Sequence, residues 1–256
     1  MKKLLLFLLL ILFYQTGGFG QSALEINVKA LNIIEKNSME MISTLKIMDD
    51  KGRERIRKME ITTREFSGVI KTLVRFQEPA DIRGTSMLVY NYRDKPDDMW
   101  IFMPALRKVR RIVTNEKGNS FMGSEFSNAD LSIPEIQNFE YIFLSDEMLD
   151  GSDCWKIEAA CKNEDVSQEN GYSKRMMWID KANFLTRKIE FYDLKGELHK
   201  VQRFSNYRKL PNGKYFAWSM EKENIQNKRK SLMIVEKFGE SASVPESMFS
   251  TAMMVN

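Results

Sequence analysis

The sequence is poor in the residues that build metal and catalytic centres. Its 256 residues include one histidine and two cysteines, too few for a disulfide-stapled scaffold or for a clustered zinc or iron–sulfur site. Thirteen glycines and six prolines are too few for a low-complexity chain. Phosphate-binding glycine loops, nucleophile elbows and zinc-protease motifs are also absent. We therefore expect a protein that is not an enzyme and needs no metal or other cofactor.

Long hydrophobic runs are missing after the first segment of the chain. Leu4 to Tyr14 is a run of eleven apolar or aromatic residues behind a basic start, whereas a bilayer-spanning helix needs about 20. Small residues follow at Gly18 and Gly20, which is typical of a signal peptide. We predict that residues 1–20 are a signal peptide cleaved before Gln21. An uncleaved membrane anchor is the alternative.

The chain also lacks a large net charge of either sign. Loss of the two lysines in residues 1–20 lowers the formal net charge from +4 to +2. A nearly neutral, exported chain is a poor nucleic-acid binder, so we expect no nucleic-acid partner. The remaining residues, 21–256, have a length common for one large β domain, and we predict a single domain.

The two cysteines lie in a segment that alternates like a strand, Cys154 to Cys161. Seven residues of strand span roughly 23 Å, and a disulfide needs Cα atoms within about 7 Å. Their odd spacing also places them on opposite faces. We predict no disulfide between them.

One helix is indicated near the start of residues 21–256. Ser22 and Glu25 form a capping-box pattern, and Leu24 and Val28 begin a series of apolar residues at helical spacing. We expect this helix to end near Asn37.

The rest of the chain reads mainly as short strands separated by turns, of which Asn212-Gly213 is a strong hairpin signal. Such a series predicts a mainly β fold with some helix, built on a large, strongly curved antiparallel sheet. The predicted strands are Met39–Ile47, Ile70–Phe76, Met87–Tyr92, Met99–Met103, Arg107–Thr114, Cys154–Cys161, Lys174–Asp180, Thr186–Asp193, Leu198–Tyr207, Lys214–Glu223 and Lys230–Phe238.

A long loop from Asn115 to Leu131 interrupts the strands and carries large apolar residues, among them Phe121, Met122 and Phe126. Loops normally stay polar because they run over the surface. This one is expected to pack down as a lid over an apolar region, or to make a functional contact.

The densest charge feature is the basic cluster of Arg107, Lys108, Arg110 and Arg111. Strand alternation would place Lys108 and Arg110 on one face and the other two on the opposite face. The cluster is either a solvated strand that resists aggregation or a contact for an acidic partner or lipid head groups.

The apolar inventory is unusual, with 17 methionines and 16 phenylalanines. Methionine fills irregular cores and also lines pockets that accept varied apolar ligands. The runs Met99–Met103 and Leu88–Tyr90 are apolar on both faces, so their strands need cover on both sides. A helix or lid would provide it, and so would an acyl chain.

Three motifs occur in an order that resembles a known family: Glu78–Thr85, Pro104–Ile112 and Ser120–Phe126. They resemble the bacterial outer-membrane lipoprotein-sorting proteins, a LolA-like family, in a branch that is uncharacterised. Trp100–Pro104 and Gly118–Met122 are further similar segments, and the resemblance runs from about Leu24 onward. Where that family's carrier has an arginine before a proline, this chain has Glu78.

The resemblance implies a half-open antiparallel barrel closed by helices, and a monomeric periplasmic carrier of acylated lipoproteins or lipids. Its donor would be an inner-membrane transporter and its acceptor an outer-membrane component. An apolar hollow is expected behind Trp100 and Phe102, beneath a lid from Phe121 to Leu131. The predicted lipid-binding residues are Val74, Phe76, Leu88, Tyr90, Trp100, Phe102, Phe121, Met122 and Phe126, and the basic cluster is the predicted partner or head-group contact.

Two alternatives remain open. A periplasmic accessory module could dock to an export transporter through the basic cluster without carrying lipid, and its interior would be filled. A hydrolase would instead show a pocket with converging carboxylates.

Overall fold

The computed structural model describes residues 21–241 and 243–255, so the predicted signal peptide lies outside it. Within these ranges the helices are α1 (Ala23–Asn32) and α2 (Glu164–Asn170). The strands are β1 (Ser38–Met48), β2 (Glu54–Phe66), β3 (Val69–Glu78), β4 (Ser86–Asn91), β5 (Asp98–Met103), β6 (Lys108–Arg111), β7 (Phe139–Leu149), β8 (Ser152–Cys161), β9 (Lys174–Asp180), β10 (Thr186–Tyr192), β11 (Leu198–Lys209), β12 (Tyr215–Asn224) and β13 (Arg229–Gly239).

All of these strands join one antiparallel sheet in the order β6-β5-β4-β3-β2-β1-β13-β12-β11-β10-β9-β8-β7. Strands that follow one another in sequence are therefore neighbours, except β6 and β7, and β1 pairs with β13 in the middle of the sheet. The edges are β6 and β7, and they do not pair with each other. The prediction of a large, curved antiparallel sheet that stays open is confirmed.

Helix α1 begins with the predicted capping box. The Glu25 backbone N–H donates to Ser22 Oγ at 3.2 Å, and the Ser22 backbone N–H donates to the Glu25 carboxylate at 2.9 Å. The helix ends at Asn32, earlier than the predicted Asn37. It stops there because the next residues bond to β12: Tyr215 N–H donates to the Ile33 carbonyl at 2.8 Å.

One face of the sheet, called here the inner face, carries α1 and the segment that links β6 to β7. This crossing segment, residues 112–138, runs from one edge of the sheet to the other through short 3-10 turns. Its Phe121 and Phe126 pack against inner-face residues of the first strands, including Val74. Ile26 and Ala30 of α1 pack against β7 to β10. Helix and segment together cover the concave side.

The opposite, outer face is covered near β3 to β5 by the C-terminal segment, residues 244–254. Val244, Phe249 and Met254 of this segment are buried against Leu73 and Leu88. Ser86 Oγ donates to the Met254 carbonyl at 2.9 Å. These strands are therefore covered on both faces, as their apolar sequences predict.

Sequence reasoning missed β2, β7 and α2. Strand β2 is rich in charge because one face is solvated, while Met59 and Ile61 alternate into the core. Strand β7 exposes Ile142, Phe143 and Leu144, so its sequence does not alternate regularly between polar and apolar residues.

Among the described residues, none of the helices is long and apolar enough to span a bilayer. Cys154 and Cys161 are free thiols.

Candidate functional site

A cavity of about 330 Å³ lies on the inner face, between α1, the crossing segment and strands β9 to β12. Sites for small molecules occupy about 300–1,000 Å³, so this volume lies at the lower end of that range. The apolar part of the wall consists of Ala30, Leu31, Ile34, Ile133, Pro134, Phe139, Met177, Ile189, Phe191, Phe204, Phe216, Ala217 and Met220. The cavity therefore offers an apolar ligand a concave surface shared by helix, sheet and loop.

The crossing segment is held above the sheet by two buried phenylalanines. Phe121 is 1% exposed, and its ring centroid lies 5.7 Å from that of Phe76. Between Phe121 and Phe126, the Glu125 backbone N–H donates to Ser231 Oγ at 2.9 Å. These contacts fix the part of the segment that precedes residues 129–135, which line the cavity.

An ion pair fastens the same segment at the cavity wall. Lys222 Nζ of β12 lies 2.7 Å from Oδ2 of Asp130 and 4.1 Å from the centroid of the Phe191 ring. Burial alone would raise the pKa of Asp130, but the charge and hydrogen bonds of Lys222 hold it below its usual value. Burial lowers the pKa of Lys222, and Asp130 opposes that shift. Each of the two charges therefore stabilises the ionised form of the other where burial would disfavour it.

Acidic side chains gather at another part of the wall, around Lys117. Lys117 Nζ lies 2.6 Å from Oε1 of Glu169. Burial raises the pKa of Asp97, whose carboxylate accepts from Asn91 Nδ2 at 2.7 Å. Burial, followed by the charges of Asp97 and Glu169, raises the pKa of Glu135. This part of the cavity is therefore anionic in character.

Five of the predicted lipid-binding residues lie on the inner face but away from the cavity. Val74, Phe76, Phe121 and Phe126 are buried in one cluster with the first strands, and Met122 packs against it. Phe121 is buried against side chains of the first strands, and the cavity described above is not lined by it. The cavity lies over the other half of the sheet.

The other four, Leu88, Tyr90, Trp100 and Phe102, lie on the outer face beneath the C-terminal segment. The strand register explains the separation. Leu88 lies opposite Leu73 and Trp100, and Val74 lies opposite Met87, and residues opposite each other share a face. The structure thus divides the nine residues between two faces, and none of them lines the cavity.

The basic cluster is exposed at the β5–β6 edge of the sheet. Arg107 has a left-handed backbone (φ 48°) in the turn before β6. Arg110 lies opposite Ile101 and forms an ion pair of 2.5 Å with Glu116, whereas Arg111 lies opposite Trp100 and pairs with Asp98. Arg110 and Arg111 therefore point to opposite faces, as strand alternation predicts.

The residues that do line the cavity were not singled out from the sequence. Ile133 and Pro134 follow the end of the predicted lid by two and three residues. Phe204 and Met220 lie on strands whose polar and apolar residues alternate without a distinctive motif. Their only signal is a periodic apolar pattern, which also describes an ordinary core. In the part of the chain that the structure describes, no group of three or more His, Cys, Asp or Glu side chains is placed to hold a metal ion.

An open, curved sheet with a helix and a crossing segment on its concave side defines the LolA-like fold class. A family model described as an uncharacterized protein family matches residues 68–256. This is more than half of the chain, so the chain belongs to that family. No curated protein sequence matches it.

Solved structures agree with this assignment. An outer membrane lipoprotein-sorting protein domain from Vibrio parahaemolyticus is 29% identical with a TM-score of 0.84, over 91% of this chain and 98% of that chain. A DUF1329 family protein from Desulfovibrio piger is 25% identical with a TM-score of 0.83, over 91% and 97%. A LolA superfamily protein from Nitrosomonas europaea, 20% identical with a TM-score of 0.72 over 91% and 100%, shares the fold. The chain thus has a LolA-like fold and is similar to a lipoprotein-sorting protein domain.

Proposed function

We propose that this protein is a periplasmic carrier that binds acyl chains of a lipoprotein or lipid and delivers them towards the outer membrane. The observation that carries the proposal is the cavity of about 330 Å³ between α1, the crossing segment and β9 to β12. The Vibrio parahaemolyticus relative, described as a lipoprotein-sorting protein domain, supports the same role. The role is one of binding and needs no nucleotide, metal or other cofactor.

The driving force is removal of hydrocarbon from water. Each methylene group that enters the apolar wall contributes about 0.8 kcal/mol. A bound acyl chain therefore leaves slowly into water and transfers to an acceptor that offers a comparable apolar surface. An inner-membrane transporter would act as donor and an outer-membrane component as acceptor.

The proposal places the acyl chain against residues such as Ile34, Met177 and Phe204. The nine residues singled out from the sequence pack on the two faces of the first strands, away from that wall. Arg107 and Lys108, exposed beside the β5–β6 turn, would contact head groups or a partner. Arg110 and Arg111 are already paired with acids.

Lipid extraction and mass spectrometry of the natively purified protein test the proposal. Acyl species in near-stoichiometric amounts are the expected result. In Ala30→Trp the new ring would occupy the cavity, since Ala30 is 4% exposed and lines it. The extracted lipid should fall severalfold in this variant. The matched control is Asn32→Trp, an exposed position on the same helix, which should keep its lipid.

A second variant covers the case in which Ala30→Trp does not fold. Phe204→Ala enlarges the cavity from the sheet side, so longer acyl species should be enriched in its extract. An empty extract from the wild-type protein, combined with loss of partner binding on charge reversal at Arg110 and Arg111, would contradict the carrier role. That outcome would favour a transporter accessory module.

A further inference from the structure

Arg175 is a buried cation that lacks a carboxylate partner. It lies on β9, lines the cavity and is 6% exposed. Among residues 21–241 and 243–255 no acidic side chain forms an ion pair with it, and its Nε–H has no hydrogen-bond acceptor. An unpaired charge in a dry interior is costly unless something compensates for it. Arg175 therefore differs from the other buried cations of the cavity region.

Those other cations are each matched by an acid. Lys222 pairs with Asp130 at 2.7 Å, and Lys117 pairs with Glu169 at 2.6 Å. The lining acids Asp97 and Glu135 belong to the group around Lys117, whose charge opposes the rise that burial causes in the pKa of each. In the described part of the chain, none of these lining acids forms an ion pair with Arg175.

The neighbours of Arg175 are aromatic and neutral. Its guanidinium carbon lies 4.8 Å from the centroid of the Phe139 ring. The Tyr141 hydroxyl lies near the guanidinium, whose charge and hydrogen bonding oppose the rise in the pKa of Tyr141 that burial causes. An aromatic face attracts the guanidinium and leaves its hydrogen-bond donors free. These surroundings do not balance its charge.

A second unpartnered donor lines the cavity from the helix side. Asn27 of α1 is 2% exposed, and its Nδ2 has no acceptor in the described ranges. Arg175 and Asn27 thus bring N–H donors to one cavity from the sheet and from the helix. Because both groups offer N–H donors, a ligand that binds there should supply oxygen acceptors. Because Arg175 is positively charged, that ligand should be an anion.

We propose that the cavity takes an amphiphile with an anionic oxygen head group, which Arg175 and Asn27 bind while its acyl chain lies on the apolar wall. This inference rests on the proposed carrier function and adds the chemical class of the ligand. The guanidinium fork suits a carboxylate or a phosphate equally. The acids around Lys117 repel such a head group, so the ligand is oriented with its charge towards β9.

Ligand affinities of the purified chain test the proposal by displacement of a fluorescent fatty probe. Palmitate and dodecyl phosphate are compared with hexadecanol and dodecanol, which have the same chain lengths but no charge. We expect the anionic ligands to bind about tenfold more tightly or better. The two anionic arms distinguish a carboxylate head group from a phosphate.

The variant Arg175→Met keeps the length of the side chain and removes its charge. Its affinity for hexadecanol should stay near the wild-type value, while the preference for palmitate disappears. Arg175→Lys should retain part of the preference. Arg203→Met is the matched control, because Arg203 is half exposed on β11 and does not line the cavity.

The outcomes separate the two proposals. Equal binding of palmitate and hexadecanol to the wild-type protein would overturn the anionic head group and leave the carrier role standing. Failure of every acyl ligand to bind would overturn both. The wild-type comparison decides the question even if Arg175→Met does not fold.

Discussion

Asp130 of the crossing segment and Lys222 of β12 form an ion pair of 2.7 Å that joins the middle of the chain to the sheet. The Lys222 side chain is 4% exposed and that of Asp130 is 25% exposed. Breaking a buried pair on one side leaves the other charge without compensation. The pair therefore stabilises the position of the segment above the cavity.

Asp130→Asn should lower the free energy of unfolding by about 3 kcal/mol, because Lys222 would stay buried without its counter-charge. The double variant Asp130→Asn/Lys222→Met should recover much of this loss, since both charges are gone. Urea denaturation of the two single variants and the double variant measures the coupling. Additive losses would show that the two side chains do not interact.

Stability should fall at acid pH through the Asp180–Arg187 pair, whose atoms lie 2.6 Å apart. Burial opposes ionisation of Asp180, but hydrogen bonds from Arg187 and the Ala182 backbone hold its pKa below the ordinary 3.8. Because the folded pKa is lowered, the stabilisation is present above that ordinary value and is lost as the pH falls through the folded value.

Urea denaturation at pH 6 and pH 3 measures this effect. Asp180→Asn should cost about 2 kcal/mol at pH 6 and less at pH 3, below the ordinary value of 3.8 at which the unfolded carboxyl titrates. A difference that stays the same at both values would show that the carboxylate is not ionised in the folded protein.

Phe249→Ala should destabilise the fold without changing acyl binding. Phe249 is 1% exposed on the outer face, its ring centroid lies 5.5 Å from that of Phe66, and its carbonyl accepts from the Tyr90 hydroxyl. Loss of the ring should cost about 3–5 kcal/mol in unfolding free energy. Affinity for the fluorescent fatty probe should stay constant at a temperature where the variant is folded. A weakened affinity would mean that the outer face takes part in binding.

Gly118→Ala should be destabilising by about 1–3 kcal/mol through steric conflict. A Cβ atom at Gly118 would lie 2.9 Å from the backbone of Gly171, which ends α2 with a left-handed backbone. Neither partner is a flexible side chain, so the crossing segment and α2 would have to move apart. Gly239→Ala is the control, because a Cβ there meets nothing within 4 Å. Thermal denaturation should separate the two variants clearly.

The parts of the fold that depend on local sequence could be predicted. The capping box of Ser22 and Glu25 gave the start of α1, and the Asn212-Gly213 pair marked the turn between β11 and β12. Strand β7 could not be recognised, because its exposed Ile142 and Phe143 and the register shift after Phe143 break the alternation of polar and apolar residues.

The position of the cavity depends on pairings between distant parts of the chain. Register decides that Val74 faces inward with Met87 while Leu88 faces outward with Leu73, and a shift of one residue exchanges the faces. The approach of α1 and residues 129–135 to β9 to β12 produces no pattern within any short stretch of the sequence. Sequence thus indicated an apolar site beneath a loop over the first strands, whereas the cavity lies over β9 to β12.

The central pairing of β1 with β13 has a consequence for the integrity of the chain. Both free edges of the sheet come from the middle of the sequence, and the two halves of the protein meet along a ladder of antiparallel hydrogen bonds. A protease cut within residues 112–138 would leave each half with its own consecutive hairpins and with its partner still attached. The two halves would be held together by the β1–β13 ladder and by the contacts of the crossing segment with the sheet.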